Sequence, residues 1–247
     1  MKQFHCIVGN KGGVGKSLAA SWLIQYGLEQ GWNVLPIECD QGNRTLSRYE
    51  RLGTERLELL DPEHQVDRRR FDALLETLVA DTEPCVVMDN GQASFTPLTR
   101  YMSECLAFDM LRDARRDCFV HIVLAGGQLG TSTLAGLRHT CKILSADAKL
   151  VVWHNEHFGP IDHAEYQSAI EDVQTRVLDP VQLIRWSKPF EDDVQDMLKE
   201  FLTFGEALAS PNFGLMSRQR LKLVREQVFG ALQQSFTAIT REQVHAD

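Results

Sequence analysis

Along this 247-residue chain, short apolar runs alternate with longer stretches whose apolar residues recur at helical spacing. The short runs read as strands: Phe4–Val8, Asn33–Ile37, Cys85–Met88, Phe119–Leu124, Leu150–Trp153 and Gln182–Trp186. Most are continuously apolar rather than alternating, as expected of strands covered on both faces. Between them, Ser17–Gln30, Phe71–Ala80, Leu98–Arg112, Thr133–Leu144 and Ala164–Val177 carry the helical pattern. Gly31 is placed to cap the end of the first helix. Thr96-Pro97 combines a capping residue with the proline favoured at a first helical position. This rhythm predicts an α/β fold, a single domain with a mostly parallel central sheet flanked by helices. After Trp186 the strand signals stop. Glu191–Gln234 reads as helix, interrupted at Ser210-Pro211-Asn212. Residues 1–190 are therefore expected to form the core and 191–247 a helical C-terminal extension. The last helix, about Ser217–Gln234, has Leu221, Val224, Val228 and Leu232 on one face and Arg218, Lys222 and Arg225 largely on another.

Charge and composition narrow the picture. The chain carries 26 basic and 34 acidic residues, a net charge of −8. That excludes a surface basic throughout, as in a dedicated DNA-binding protein, but leaves room for local basic faces. Arg218, Lys222 and Arg225 form one candidate. Arg68-Arg69-Arg70, at a helix start where the dipole disfavours cations, forms another. Cys6, Cys39, Cys85, Cys105, Cys118 and Cys141 are scattered without metal or redox spacing, and are expected to be reduced, buried thiols. No apolar stretch is long enough to span a membrane, and the N-terminus lacks a signal-like apolar segment. The expected location is the cytoplasm.

The most specific feature is Gly9-Asn10-Lys11-Gly12-Gly13-Val14-Gly15-Lys16-Ser17, directly after the first strand and opening the first helix. Glycines there let backbone N–H groups turn toward phosphate oxygens, and the helix N-terminus adds partial positive charge. The run Gly12, Gly13, Val14, Gly15, Lys16, Ser17 and Leu18 is the candidate nucleotide cradle. Lys16 would reach the β- and γ-phosphates, and the Ser17 hydroxyl would ligate Mg²⁺. Farther on, an apolar strand closes on Asp89, a candidate carboxylate for the Mg²⁺ shell, with Gly91 just beyond.

Asn10 stands where the usual loop has its first glycine, and Lys11 precedes the double glycine. The loop thus resembles the deviant Walker A motif of the ParA/MinD-type P-loop ATPases. The resemblance implies that Lys11 acts in trans on the phosphates of a partner protomer in a nucleotide-sandwich dimer. It implies that Asp40, in Glu38-Cys39-Asp40-Gln41-Gly42-Asn43, positions the attacking water, and that Gly91 contacts the γ-phosphate. The family's proline before Gln41 is missing, and Glu38 stands where Asp is usual. Asn155 matches the place of a base-reading amide, which would favour ATP over GTP; the other reading of Asn155 is a loop cap. His154, His157 and His163 cluster in sequence without the acidic or Cys partners of a metal site. The run from Asp89-Asn90-Gly91 to Pro97-Leu98, the segment Val151–Gly159 and the stretch from Leu202 to Leu221 resemble the TraL/StbB branch of plasmid conjugal-transfer and stability proteins.

The resulting expectation is an Mg-ATP-dependent dimerising switch with slow hydrolysis. Lys11, Lys16 and Asp40 would be its catalytic residues, and ATP and Mg²⁺ its cofactors. Its partners would be a second copy of the chain and a protein of plasmid transfer or partition, with nonspecific DNA as a further candidate and no membrane. The alternatives are a metabolic ligase or kinase on the same scaffold, and a nucleotide-locked adaptor with negligible hydrolysis.

Overall fold

The computed structural model describes residues 2–61, 67–80, 85–143 and 145–244, with side chains through 237. Leu144, the expected end of the fourth helix, lies outside the described residues.

The strands are β1 (Lys2–Val8), β2 (Val34–Glu38), β3 (Glu55–Arg56), β4 (Cys85–Asp89), β5 (Arg116–Ala125), β6 (Ala148–Asn155) and β7 (Val181–Leu183). They form one seven-stranded sheet in the order β3-β2-β4-β1-β5-β6-β7, and every pairing is parallel. The continuous apolar runs have the expected cause. In β4, Val86 and Met88 face one core while Cys85 and Val87 face the other, and β1, β5 and β6 divide in the same way. β3 has no apolar signature, because it is two exposed charged residues at the sheet edge, a sequence that discourages further pairing.

One face of the sheet is covered by α2 (Arg68–Val79), α3 (Phe95–Glu104), α4 (Ala107–Asp113), α5 (Gly130–Ile143) and α6 (His163–Ile170). The other is covered by α1 (Lys16–Glu29), α7 (Lys188–Lys199), α8 (Phe204–Ala209) and α9 (Leu215–Val244). α1 is central and largely buried. Gly27 is required there, since a Cβ would lie 2.6 Å from the Trp32 ring. Gly31, at φ 75°, ends the helix as expected.

Two helical expectations need correction. The segment read as one helix over Leu98–Arg112 is two, α3 and α4, broken at Leu106 in a left-handed conformation (φ 49°). The break buries Ala107 and Leu111 and leaves Leu106 64% exposed, with no Gly or Pro to announce it. The residue before α3 is Ser94, not Thr96, which places Pro97 inside the first turn, where no intrahelical N–H bond is lost. The segment Ala164–Val177 likewise divides into α6 and a 3-10 stretch, Glu171–Arg176.

α9 behaves as its apolar stripe indicates: Leu221, Val224, Val228 and Leu232 are all at most 1% exposed and join the core around α1. Each such side chain contributes roughly 1.5–3 kcal/mol of transfer free energy. Beneath its C-terminal half lies a buried polar chain. Trp153 Nε1 donates to His121 Nδ1 at 3.0 Å, so the His121 proton is on Nε2, which lies 2.9 Å from His5 Nδ1. His5 Nε2 then donates to Gln3 Oε1 at 3.3 Å. Burial pushes His5 down to about 3 and His121 well below its usual range, where the His5 charge would also oppose it. Both rings are neutral and bonded. No helix among the described residues is long and apolar enough to cross a membrane.

Candidate nucleotide site

β1 is the hub of the sheet, and the order departs from it in both directions, toward β4 and toward β5. Ligands of open parallel sheets bind at such a reversal, beyond the carboxyl ends of the strands. The loop 9–15 occupies that position and delivers Lys16 and Ser17 into the first turn of α1. Gly13 and Gly15 take φ of 74° and 103°, left-handed values that a side chain would strain.

Lys16 is 8% exposed, and its Nζ donates to the Lys11 carbonyl at 2.8 Å. Burial lowers its pKa, while Asp89 and Asp40 hold it up. Lys11 is exposed, and its side chain makes no ion pair among the described residues. Asn10 turns away from the loop to pack on Gly136 of α5, where a Cβ would meet its Oδ1 at 2.4 Å.

Asp89, at the end of β4, is 1% exposed, and among the described residues neither carboxylate oxygen accepts a hydrogen bond of good geometry. Burial pushes its pKa up to about 7. The adjacent Ser17 side chain and the Lys16 charge pull it down, and Glu38 and Asp40 push it up again. An enclosed carboxylate with two orphaned oxygens beside a serine hydroxyl fits a divalent cation with oxygen ligands.

The two carboxylates at the end of β2 separate in role. Glu38 is 3% exposed and accepts from the Leu46 and Ser47 backbone N–H groups at 2.7 and 3.2 Å, so it caps the turn that follows. Asp40 Oδ1 accepts from the Gly42 and Asn43 N–H groups, both at 3.0 Å. Asp40 lines a cavity of about 650 Å³ with Gly12, Gly13, Lys16, Ser17 and Leu18. Asn43, Thr45 and Gln92 also line it, and none of the three stood out in the sequence as a site residue. Gly91 packs directly behind Asp40.

Asn155 is 6% exposed and its amide is used twice: Nδ2 donates to the Val14 carbonyl at 3.0 Å, and Oδ1 accepts from the His157 N–H at 3.2 Å. It clamps the phosphate loop to the end of β6. It also lines a second cavity of about 200 Å³, with Gly13, Gly15, Leu18, Phe158 and Ile184 among its walls. The His154 and His163 rings are neighbours, 5.9 Å between centroids, but the three histidines do not form a ligand set. His154 is buried, bonded to Gln182 at 3.1 Å and pushed down to about 4 by burial, whereas His157 and His163 are exposed. Among the described residues no cluster of His, Cys, Asp and Glu forms a metal site by itself.

Most cations of the two basic patches have a partner within the fold. Lys222 lies 3.8 Å from Glu226, Arg225 3.7 Å from Glu29, and Arg218 donates to the Phe213 carbonyl at 2.7 Å. Arg70 pairs with Glu58 and Asp67, and Arg68 with Glu104. The cysteines are free. Cys6, Cys39, Cys85 and Cys118 are buried as expected, Cys141 is partly buried, and Cys105 is exposed, contrary to expectation, at the α3–α4 break.

A family model described as the CobQ/CobB/MinD/ParA nucleotide binding domain matches residues 5–200. The chain belongs to that family. Two Escherichia coli proteins, each called Protein TraL, are 35% identical to it over 237 and 238 residues, spanning 94% of this chain and 98% of theirs. Among solved structures, the MinC:MinD cell division protein complex of Aquifex aeolicus shares the fold, with a TM-score of 0.50 at 11% identity over 92% of this chain and 96% of that one. The CobQ/CobB/MinD/ParA match spans the phosphate loop, Asp40, Asp89 and Asn155, so the site lies wholly within the family's domain.

Proposed function

We propose that this protein is an Mg-ATP-dependent dimerising switch that hydrolyses ATP slowly. The observation that carries the reading is the enclosed, unsatisfied carboxylate of Asp89 beside Ser17 and Lys16 at the mouth of the phosphate loop. Asp89 and Ser17 would hold Mg²⁺, which would neutralise phosphate charge. Lys16 exchanges the Lys11 carbonyl for phosphate oxygens. The loop N–H groups and the α1 N-terminus supply the remaining positive field. Two backbone N–H groups anchor Asp40 Oδ1, and its other oxygen is the acceptor available to orient a water in line with the γ-phosphate.

Lys11, exposed and without an ion pair among the described residues, reaches the phosphates of a second protomer and makes dimerisation depend on nucleotide. Hydrolysis then releases the dimer. The output, by resemblance to the TraL/StbB branch, is nucleotide-dependent binding of a partner in plasmid transfer, stability or positioning. The ion pairs of Lys222 with Glu226 and of Arg225 with Glu29 favour a protein partner over DNA. Titration calorimetry tests the site: wild type binds ATP with Mg²⁺, and Lys16→Ala loses that binding. Undiminished binding by Lys16→Ala would remove the basis of the reading.

A further inference from the structure

The segment after β4 brings one more polar group to the phosphate cavity. The side chain of Gln92 lies over the front of the phosphate loop, where a Cβ on Gly12 would meet its Oε1 at 3.2 Å. It shares the lining of the cavity with Lys16, Ser17 and Asp40. Two contacts fix which end of the cavity this is. Gly12 adjoins Lys11, whose carbonyl accepts from Lys16 Nζ at 2.8 Å, the ammonium that would hold the β- and γ-phosphates. Gly91, the residue before Gln92, packs directly on Asp40. Gln92 therefore stands at the terminal-phosphate end, on the side of the cavity that carries Asp40.

The backbone that carries Gln92 is held from below. The buried Asn90 donates its N–H to the Ile7 carbonyl at 3.1 Å, and its Oδ1 accepts from Ser94 Oγ at 2.6 Å. The Gln92 carbonyl accepts from the Phe95 N–H at 3.4 Å, which closes the turn into α3. The Gln92 side chain, by contrast, is exposed and makes no hydrogen bond among the described residues. A primary amide carries a donor and an acceptor and no charge, whereas an ionised Asp40 can only accept. Asp40 can hold a water but has nothing to give a phosphate oxygen. We infer that Gln92 is a further catalytic residue for hydrolysis, its Oε1 accepting from the attacking water while its Nε2 donates to a γ-phosphate oxygen. The water oxygen bonds to the γ-phosphorus as the bond to the β–γ bridging oxygen breaks. The bridging oxygen leaves with ADP, one water proton stays on the released phosphate and the other passes to solvent. Gln92 exchanges no proton; it orients the water and meets the charge that develops on the phosphoryl oxygens. This role rests on the nucleotide-switch reading above and adds to it a second group that holds the water.

The test measures phosphate release at saturating ATP and Mg²⁺ beside calorimetric Mg-ATP affinity, in wild type, Gln92→Met and Gln92→Ala. Gln92→Met keeps the length of the side chain and its packing over Gly12 and removes both hydrogen-bonding groups. Each variant is expected to lose at least ~10-fold in kcat, as when a donor to transition-state charge is removed. Mg-ATP affinity is expected to stay within ~3-fold of wild type, because the contacts made by Gln92 strengthen only as the water attacks; retained affinity also shows that the variants are folded. A kcat less than ~10-fold below wild type in either variant overturns the assignment. So does a loss of affinity as large as the loss of turnover, which would make Gln92 a binding group alone. Wild type that binds no ATP, or binds it without turnover, overturns instead the nucleotide-switch reading beneath it.

Discussion

Gly91 lies so close behind Asp40 that a Cβ on it would sit 2.7 Å from both Cγ and Oδ1 of the carboxylate and 3.0 Å from Cα. The segment after β4 therefore sets the position of the carboxylate after β2 by packing against it. Any side chain at position 91 displaces Asp40 from the phosphate cavity. Gly91→Ala is expected to lower ATP turnover at least ~10-fold, about 1.4 kcal/mol of barrier, while leaving Mg-ATP affinity within a few-fold. Steady-state phosphate release beside calorimetric binding checks this. Turnover at the wild-type rate would mean that Asp40 is not the residue being positioned.

Acid stability follows from the buried imidazoles. His5 moves from 6.5 to about 3, His154 from 6.5 to about 4, and His121 moves well down. A depressed folded pKa gives stability that is complete above about 6.5 and is lost as pH falls toward the folded values. Asp89, raised from 3.8 to about 7, acts in the opposite sense, its contribution vanishing as pH rises through that window. Three histidines set against one carboxylate leave about two protons, or ~2.7 kcal/mol per pH unit between about pH 5 and 6. Urea unfolding across that range is expected to show stability rising with pH at nearly this slope. A flat profile would mean that the imidazoles are hydrated in the folded state.

Asp89→Asn separates the two contributions. Without nucleotide the variant is expected to be at least as stable as wild type above pH 7, because the burial cost of an enclosed carboxylate, which outweighs the help of Lys16 and Ser17, has been removed. Its pH slope steepens by ~1.4 kcal/mol per unit. The thermal shift that Mg²⁺ adds to nucleotide binding disappears. Loss of apo stability by more than ~2 kcal/mol would point instead to a structural bond made by Asp89.

Asn155→Ala removes the clamp between β6 and the phosphate loop. It is expected to cost ~1–3 kcal/mol in unfolding free energy and to speed hydrogen exchange at the amides of the loop 9–15. Exchange unchanged in the loop would contradict a clamping role.

Much of this was legible in the sequence for a definite reason. Strands covered on both faces must be apolar at every position, so β1, β4, β5 and β6 announce themselves, and a phosphate loop must carry its glycines and lysine in order. What was not legible depends on distant contacts. β3 pairs through backbone alone and consists of two charged residues. The α3–α4 break at Leu106 is imposed by burial of Ala107 and Leu111, not by a turn residue. Asn155 reads from sequence as either a base contact or a cap, and only its distance to Val14 shows the clamp.

In the proposed switch, ATP joins two copies of this chain through Lys11. It is tested most directly by light scattering of the Asp40→Ala protein with saturating ATP and Mg²⁺, beside the same protein with ADP and beside the Lys11→Ala, Asp40→Ala double variant. The expected result is a dimer with ATP alone, a monomer with ADP, and a monomer in the double variant even though it still binds ATP. A monomer in all three, or a dimer that persists without Lys11, would contradict it.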